Sequence, residues 1–364
     1  MDQGAHDPGE PSAPRPRRAR RLAVDLTLLA IVGVLLAGAV WAAVATIYRE
    51  FYSPTAFVER YVGMLADGRA AEALAVPGVT VDSVDLEAAG LTPQASEALL
   101  RPTALATLTE IDVISETTDG GVTRVTVTYK AGGIPGTTTF DVAREGSVGP
   151  APTWRFATSP LAVMDLVVNG SMKFIVNGFE IDKRQVSPDG VDADPLAPIP
   201  LLMFSPGLYS VSVDTAISAT PGAAVLSDAP LHEIPVEIQA QPTEAFVAIV
   251  QERVEDFLTE CAVQEVLQPT ACPFGYVVQD RIDSLPQWSI AEQPVIAVEP
   301  DGAGWRIPPT EATARIDVDV LSLFDGTVTE VSEDVPFILT GGITVNPDGS
   351  VSITVGGPDT SASP

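Results

Sequence analysis

The chain has 364 residues, more than one ordinary hydrophobic core organises, so we expect two or three globular units. Apolar residues make up 46% of the sequence, which is enough to build those cores and excludes disorder throughout. The formal net charge of −28 excludes a nucleic-acid role, because phosphate binding needs clustered lysines and arginines.

The N-terminal tail, residues 1–21, mixes Pro, Gly and Ser, and this composition predicts a disordered segment. Its end is a basic cluster formed by Arg15, Arg17, Arg18, Arg20 and Arg21. Residues 22–48 follow as a predicted transmembrane helix, since Leu26–Tyr48 carries no charge over 23 residues. At about 1.5 Å per residue this run crosses a hydrocarbon layer of roughly 30 Å. Trp41 and Tyr48 lie toward its far end, where amphipathic aromatics favour the interface.

The arginines predict the orientation of the chain. Because basic residues stay on the cytoplasmic side, we expect a cytoplasmic N-terminus and extracytoplasmic residues 49–364, hence a single-pass protein of the cell membrane. The alternative is a cleaved signal peptide, since Ala43–Ala45 has the small residues of a cleavage site. The apolar run exceeds the roughly 7–15 residues of a signal core, which favours an uncleaved anchor.

Residues 50–161 read as a first α+β unit. Ser53–Leu74 has the apolar spacing of a helix, with Ser53 as N-cap and Pro54 at the first helical position. A shorter helical piece is expected around residues 92–102. Four strand-like runs follow, and the period-2 pattern of Val122, Arg124/Val125, Val127 and Tyr129 predicts a half-buried antiparallel strand.

Residues 162–241 read as a small all-β unit, because short β runs are broken by Asn-Gly and Pro-Gly turns; a sandwich or barrel is expected. Residues 242–357 repeat the order of the first unit, a helix and then strands. Both α+β units contain a Trp-Arg strand, at Trp154 and Trp305, which suggests duplication. The last residues, 358–364, are Ser- and Pro-rich and expected to be disordered.

Cys261 and Cys272 are the only two cysteines. Exported cysteines pair by default, and Cys261 ends a predicted helix onto which the following turn can return Cys272, so we predict a disulfide. A redox-active pair would favour Cys-x-x-Cys spacing, which is absent. A structural zinc site needs four ligands, whereas the only histidines are His6 and His232.

Short motifs in the middle unit resemble PEGA-like β modules, in which an Asn-Gly hairpin precedes an apolar stretch and a Pro-Gly-x-Tyr strand. Those positions are Asn177, Gly178, Pro206, Gly207 and Tyr209. The flanking units resemble NTF2-like (cystatin-like) α+β domains. The fold class expected is thus α+β, with one N-terminal transmembrane helix and two NTF2-like units flanking a small all-β module.

The order of parts over residues 50–356 is similar to the teicoplanin-resistance-associated envelope proteins of Gram-positive bacteria. The segment containing Cys272, with its "CPFG", looks like actinobacterial membrane proteins. The chain departs from the former family by lacking a cytoplasmic zinc ribbon, since residues 1–21 have no cysteine. The resemblance implies a non-enzymatic protein that binds or monitors cell-wall material, and it implies no catalytic residue.

Catalytic motifs are missing from the sequence. A Ser-His-Asp triad needs an exported histidine, and only His232 is available, in a strand-like run. Ser-x-x-Lys and phosphate-binding glycine loops are absent. Weak calcium candidates are the exposed-turn acids Asp189, Asp192 and Asp194 and the strand pair Asp317 and Asp319. The first three acids also fit an ordinary turn. The strand pair also fits a solvated strand face opposite Ile316 and Val318.

Aromatic residues are the candidates for a ligand pocket in the α+β units: Phe57, Tyr61, Trp154 and Trp305 either line a cavity or fill a core. The predicted function is non-enzymatic binding or sensing of envelope material, without a cofactor. The expected partners are the membrane and either peptidoglycan, another cell-wall component or an envelope protein. Two alternatives stay open: a scaffold for another membrane complex, and a hydrolase that uses paired carboxylates.

Overall fold

A computed structural model describes residues 17–149, 151–346 and 351–356. Helix α1 runs from Arg17 to Tyr52, so the last five residues of the predicted disordered tail are helical, which fits the good helix propensity of arginine and alanine. Arg15 and the tail at 358–364 lie outside the described residues. Within α1, Val24–Val44 has a mean hydropathy of 2.4 and is nowhere buried. This is the one helix of the described chain that is long and apolar enough to cross a membrane.

The first α+β unit begins directly after α1. Ser53 caps helix α2 (Pro54–Ala66), its hydroxyl accepting a 3.0 Å hydrogen bond from the amide of Ala56. Gly68 then adopts φ +71 and reverses the chain into helix α3 (Ala70–Leu74), so the helix predicted over Ser53–Leu74 is interrupted. Helix α4 (Ser83–Ala88) follows. Two 3₁₀ turns, Glu97–Leu99 and Pro102–Ala104, stand where a short helical piece was expected.

A four-stranded antiparallel meander completes this unit. Its strands are β1 (Leu108–Asp119), β2 (Val122–Ala131), β3 (Ile134–Val148) and β4 (Ala151–Phe156), in that spatial order. The predicted alternation on β2 is confirmed from Val125 onward, because Val125, Val127 and Tyr129 are all buried, whereas Val122 is half-buried. Phe57 and Tyr61 of α2 pack on this face against Phe156. The unit is a helix on an antiparallel sheet.

The middle unit is a two-layered β structure. Its elements are β5 (Leu161–Asn169), β6 (Lys173–Val176), β7 (Phe179–Asp182), the short helix α5 (Lys183–Val186), β8 (Ile199–Phe204), β9 (Gly207–Asp214), β10 (Ser218–Ser227), β11 (Glu233–Gln239) and β12 (Gln241–Pro242). One sheet has the order β12-β10-β9-β6-β7 and the other β11-β5-β8. The predicted Asn177-Gly178 turn joins β6 to β7, with φ of 50 and 85.

The three-stranded sheet lies between two hydrophobic cores. Every residue of β8 is buried. Leu202 and Phe204 belong to the core of the first unit, whereas Leu201 and Met203 belong to the core of the middle unit. Leu99, from a 3₁₀ turn of the first unit, also lies in the middle core. The first and middle units therefore share one sheet, whose strand β8 is buried on both faces, where residues 161 and 162 were expected to separate them.

The third unit starts with helix α6 (Glu244–Ala262), capped by Thr243. Its antiparallel sheet contains β13 (Arg281–Ile282), β14 (Gln287–Glu292), β15 (Glu299–Asp301), β16 (Gly304–Leu321), β17 (Val328–Val345) and β18 (Val351–Gly356). β16 pairs with β13, β14, β15 and β17, and β18 pairs with β17. The predicted disulfide joins Cys261 at the end of α6 to Cys272, with 5.8 Å between their Cα atoms. The fold is thus mixed α+β with mostly antiparallel sheets.

Candidate functional sites

Two of the four aromatic pocket candidates fill cores. Tyr61 is fully buried and its hydroxyl donates a 3.1 Å hydrogen bond to the carbonyl of Ser205, across to the middle unit. Burial, with a smaller effect of neighbouring Tyr209, raises the pKa of the Tyr61 hydroxyl well above its usual range. Trp305 is also buried, with its ring centroid 6.1 Å from that of Phe246. Neither residue lines either of the grooves described below.

The other two candidates, Phe57 and Trp154, line a groove of about 480 Å³ where α1 meets the first unit, although Phe57 is also buried in that unit's core. We call it the Trp154 groove. Its other walls include Phe51 and Tyr52 at the end of α1, Arg60 of α2 and Glu145 of β3. The aromatics are predicted from the sequence, whereas the two charged residues are not.

The C-terminal carbonyls of α1 are capped by side chains of the first unit. Trp154 donates a hydrogen bond of 2.8 Å from Nε1 to the carbonyl of Tyr52. Arg60 donates one of 2.9 Å from a terminal guanidinium nitrogen to the carbonyl of Phe51. The last carbonyls of a helix lack partners within the helix and carry its partial negative charge, so a cationic donor stabilises them. The Trp154 groove is therefore built around a fixed helix end.

A second groove, of about 420 Å³, lies between the 3₁₀ turn at Glu97–Leu99 and strand β7 with helix α5. We call it the Arg101 groove. The guanidinium carbon of Arg101 lies 4.3 Å from the ring centroid of Phe179, a cation–π contact. Ser96 and Gln185 add polar atoms to the lining, and Glu97 is its one carboxylate. None of these residues was singled out from the sequence.

Arg101 has no acidic partner in the described part of the chain. Eight ion pairs form there, and none of them includes Arg101. Its Nε atom is buried and makes no hydrogen bond. A buried donor without a hydrogen bond is energetically costly. The protein has 48 acidic residues against 20 basic ones, so an arginine without an acidic partner is unexpected. Its position in a groove suits the binding of an anion.

Lys183 is a buried lysine in the short helix α5. Its Nζ donates hydrogen bonds to the carbonyls of Val168, at 2.5 Å, and Pro195. Burial lowers the pKa of Lys183 to about 8, and the charge of Asp194 partly opposes that shift. The side chain ties the loop after α5 to β5, and it lines neither groove.

The calcium candidates do not come together. Asp189, Asp192 and Asp194 are exposed, and Asp194 accepts a hydrogen bond of 2.8 Å from the amide of Leu196 as part of a turn. Asp317 and Asp319 alternate along β16 with the buried Ile316 and Val318. Over residues 17–149, 151–346 and 351–356, no three His, Cys, Asp or Glu side chains converge as a possible metal site.

The carboxylate pair of a hydrolase is not found in the two grooves. Each has a single carboxylate in its lining, Glu97 in one and Glu145 in the other. A glycosidase of the common type needs two carboxyl groups flanking one bond. His232 is exposed, and its carbonyl accepts a 2.9 Å hydrogen bond from the amide of Val163. The arrangement of both grooves suits binding of a charged group.

No family model, no curated protein and no solved structure matches the chain. The class of this protein is therefore described from its fold and its grooves. It is a mixed α+β protein, mostly of antiparallel sheets, with one N-terminal helix of membrane-spanning length and composition and a disulfide in its third unit.

Proposed function

We propose that the chain is a single-pass membrane protein whose residues beyond α1 lie outside the cytoplasm and bind carboxylate-bearing material of the cell envelope, without catalysis. The unpaired guanidinium of Arg101 in its groove carries the binding part of this proposal. The apolar segment Val24–Val44, none of whose residues is buried, supports the anchor. The basic cluster on its N-terminal side and the disulfide support export of the remainder.

Arg101 suits a carboxylate for geometric reasons. A guanidinium presents planar paired donors that match the two oxygens of a carboxylate, and its stacking on Phe179 holds that plane in place. The apolar lining, from Ile181 and Val186, accepts a short aliphatic group next to the carboxylate. Glu97 at the same groove suits an ammonium or amide donor on the ligand. A peptide with a free C-terminus combines these groups.

The proposal includes the resemblance of the three units to NTF2-like and PEGA-like domains. A helix packed on a four-stranded antiparallel meander supports an NTF2-like description of the first unit, and α6 on its sheet supports the same for the third. The Asn177-Gly178 hairpin and the buried Tyr209 support a PEGA-like description of the middle unit. Together they support the likeness to teicoplanin-resistance-associated envelope proteins, with peptidoglycan or another wall component as the partner.

Binding is tested with the full chain in detergent micelles, using a wall-type tetrapeptide with a free C-terminus and the same peptide with an amidated C-terminus. We expect calorimetry to detect binding of the free-acid peptide. The amidated peptide should bind about tenfold more weakly, because it lacks one charge-assisted hydrogen bond. Arg101→Gln should reduce free-acid binding similarly. Arg253→Gln, at an exposed arginine of α6, is the matched control.

Topology has its own test. A phosphatase reporter fused to the C-terminus should be active only if that end is exported, and native Cys261 and Cys272 should resist thiol labelling. Turnover of wall fragments by the purified chain, or equal binding of the acid and the amide, contradicts the proposal.

A further inference from the structure

The Trp154 groove lies close to the surface from which α1 would emerge. The apolar segment ends at Val44, and the uncharged run ends at Tyr48 before Arg49. Tyr52 is therefore four to eight residues, about 6–12 Å, beyond the hydrocarbon boundary at about 1.5 Å per residue. The headgroup layer on each side of a bilayer is about 5–8 Å thick. A groove walled by Phe51 and Tyr52 meets the outer part of that layer.

The exposed aromatic side chains at the end of α1 suit a position in the headgroup layer. Phe51 is 57% exposed and Tyr52 41% exposed, although they are the last two residues of the helix that leads directly into the first unit. Amphipathic and aromatic side chains are enriched where hydrocarbon gives way to headgroups. Trp154 uses its indole N–H to hold the Tyr52 carbonyl and leaves its ring as part of the groove wall.

The groove also carries one charge of each sign. Arg60 is exposed and donates one hydrogen bond, to the Phe51 carbonyl; it forms no other hydrogen bond or ion pair within the described part of the chain. Since a guanidinium has five N–H donors, several can reach a phosphate oxygen. Glu145 is exposed and, over the same residues, forms no ion pair. Its carboxylate can accept from an ammonium.

We propose that the Trp154 groove binds the headgroup of a phosphatidylethanolamine-type lipid, with Arg60 on the phosphate and Glu145 on the primary ammonium. This inference rests on the proposed membrane anchor. A net charge of −28 disfavours a purely anionic headgroup, whereas a zwitterionic one adds no charge to repel. A choline headgroup has no N–H to donate to Glu145. The lipid would fix the first unit against the bilayer through the capped end of α1.

Native mass spectrometry of the full chain in detergent tests this directly, by titration with phosphatidylethanolamine, phosphatidylglycerol or phosphatidylcholine of identical acyl chains. The affinity of the first bound lipid should be about tenfold higher for the ethanolamine lipid, the value of one or two charge-assisted hydrogen bonds. Arg60→Gln, which keeps a donor for the Phe51 carbonyl, should remove most of that affinity. Glu145→Gln should abolish the preference for ethanolamine over choline.

Arg69→Gln is the control, because Arg69 is an exposed arginine three residues beyond the end of α2 and nine residues after Arg60, and it lines neither groove. It should bind as the unaltered chain does. Equal affinity for the glycerol and ethanolamine lipids, or an unchanged affinity in Arg60→Gln, overturns the inference. Alkaline extraction of membranes separates this outcome from failure of the anchor. A chain that is extracted contradicts the proposed function, whereas one that resists extraction without lipid preference contradicts only the headgroup site.

Discussion

The indole N–H of Trp154 donates a 2.8 Å hydrogen bond to the carbonyl of Tyr52, joining strand β4 to the last residue of α1 over 102 positions of sequence. Arg60, on α2, donates a hydrogen bond to the neighbouring carbonyl of Phe51. Two elements of the first unit thus hold the same helix end. Only Ser53 separates α1 from α2, so the first unit follows α1 without a linker segment.

Trp154→Phe should loosen this junction. The substitution removes the donor and keeps most of the ring, so we expect a loss of about 1 kcal/mol, the net value of a typical hydrogen bond, confined to the first unit. Hydrogen exchange at residues 51–58 should become faster. Trp288→Phe is the control, since it removes an equivalent 2.8 Å bond to the carbonyl of Val266 in the third unit. Faster exchange at 51–58 in the control would contradict a local role for Trp154.

Gly78 should be the least replaceable glycine at the edge of the first unit. It adopts φ +82, and a Cβ at this position would lie 2.4 Å from the carbonyl oxygen of Phe156. Gly78→Ala combines left-handed strain with a backbone clash, and we expect a loss of about 3 kcal/mol in urea unfolding. Gly90 has φ +75 with nothing within 4 Å of the added carbon. Gly90→Ala should therefore cost about 1–2 kcal/mol, and equal losses would contradict the steric argument.

Local patterns in the sequence predicted more than the long-range contacts did. The alternation on β2 and β16, the cap at Ser53 and the Asn177-Gly178 turn are all decided by neighbouring residues. The buried sheet between the first two units was missed. The run Ile199–Phe204 is continuously apolar, as expected of a strand buried on both faces, but its partners in the other unit are distant in sequence.

The grooves show the same limit. Phe57 and Trp154 were named as aromatics, yet which of four aromatics lined a groove depended on where α1 ended. Arg101 lies beside Phe179 because a 3₁₀ turn packs on the middle unit, and no local pattern encodes that contact. Lys183 was likewise hidden, since the carbonyls that it binds come from Val168 and Pro195 on other segments.

Removing the disulfide should weaken the third unit alone. Cys261 is buried at the end of α6, and the bond closes a loop whose ends are 11 positions apart. Replacing both Cys261 and Cys272 by Ala should cost about 3 kcal/mol in the loop-closure picture. Hydrogen exchange should rise along α6 while β8, in the shared sheet, is unchanged. Equal acceleration at β8 would show that the units unfold together. The side chain of Gln264 still bridges to Thr270 in the altered loop, which limits its opening.

Lys183 should make the fold more stable as pH rises above neutrality. Its pKa is about 8 in the folded chain and roughly 10.4 when unfolded, so between these values the unfolded state binds a proton that the folded state does not. The free energy of unfolding therefore increases with pH across that window, by about 3 kcal/mol in total. Burial raises the pKa of Tyr61 and of Tyr209, which lowers stability at still higher pH.

Urea unfolding between about pH 7.5 and about pH 9.5 measures this slope below the tyrosine range. Lys183→Met leaves the Val168 and Pro195 carbonyls without their donor, so its stability at any single pH combines two effects. The dependence of the unfolding free energy on pH reports only the proton bound by Lys183, separately from the lost hydrogen bonds. It should be lost in Lys183→Met and kept in Lys130→Met, which removes an exposed lysine paired with Glu110 on the first sheet. A slope that survives in Lys183→Met would mean that another group binds the proton, and that the buried ammonium stays charged throughout the range.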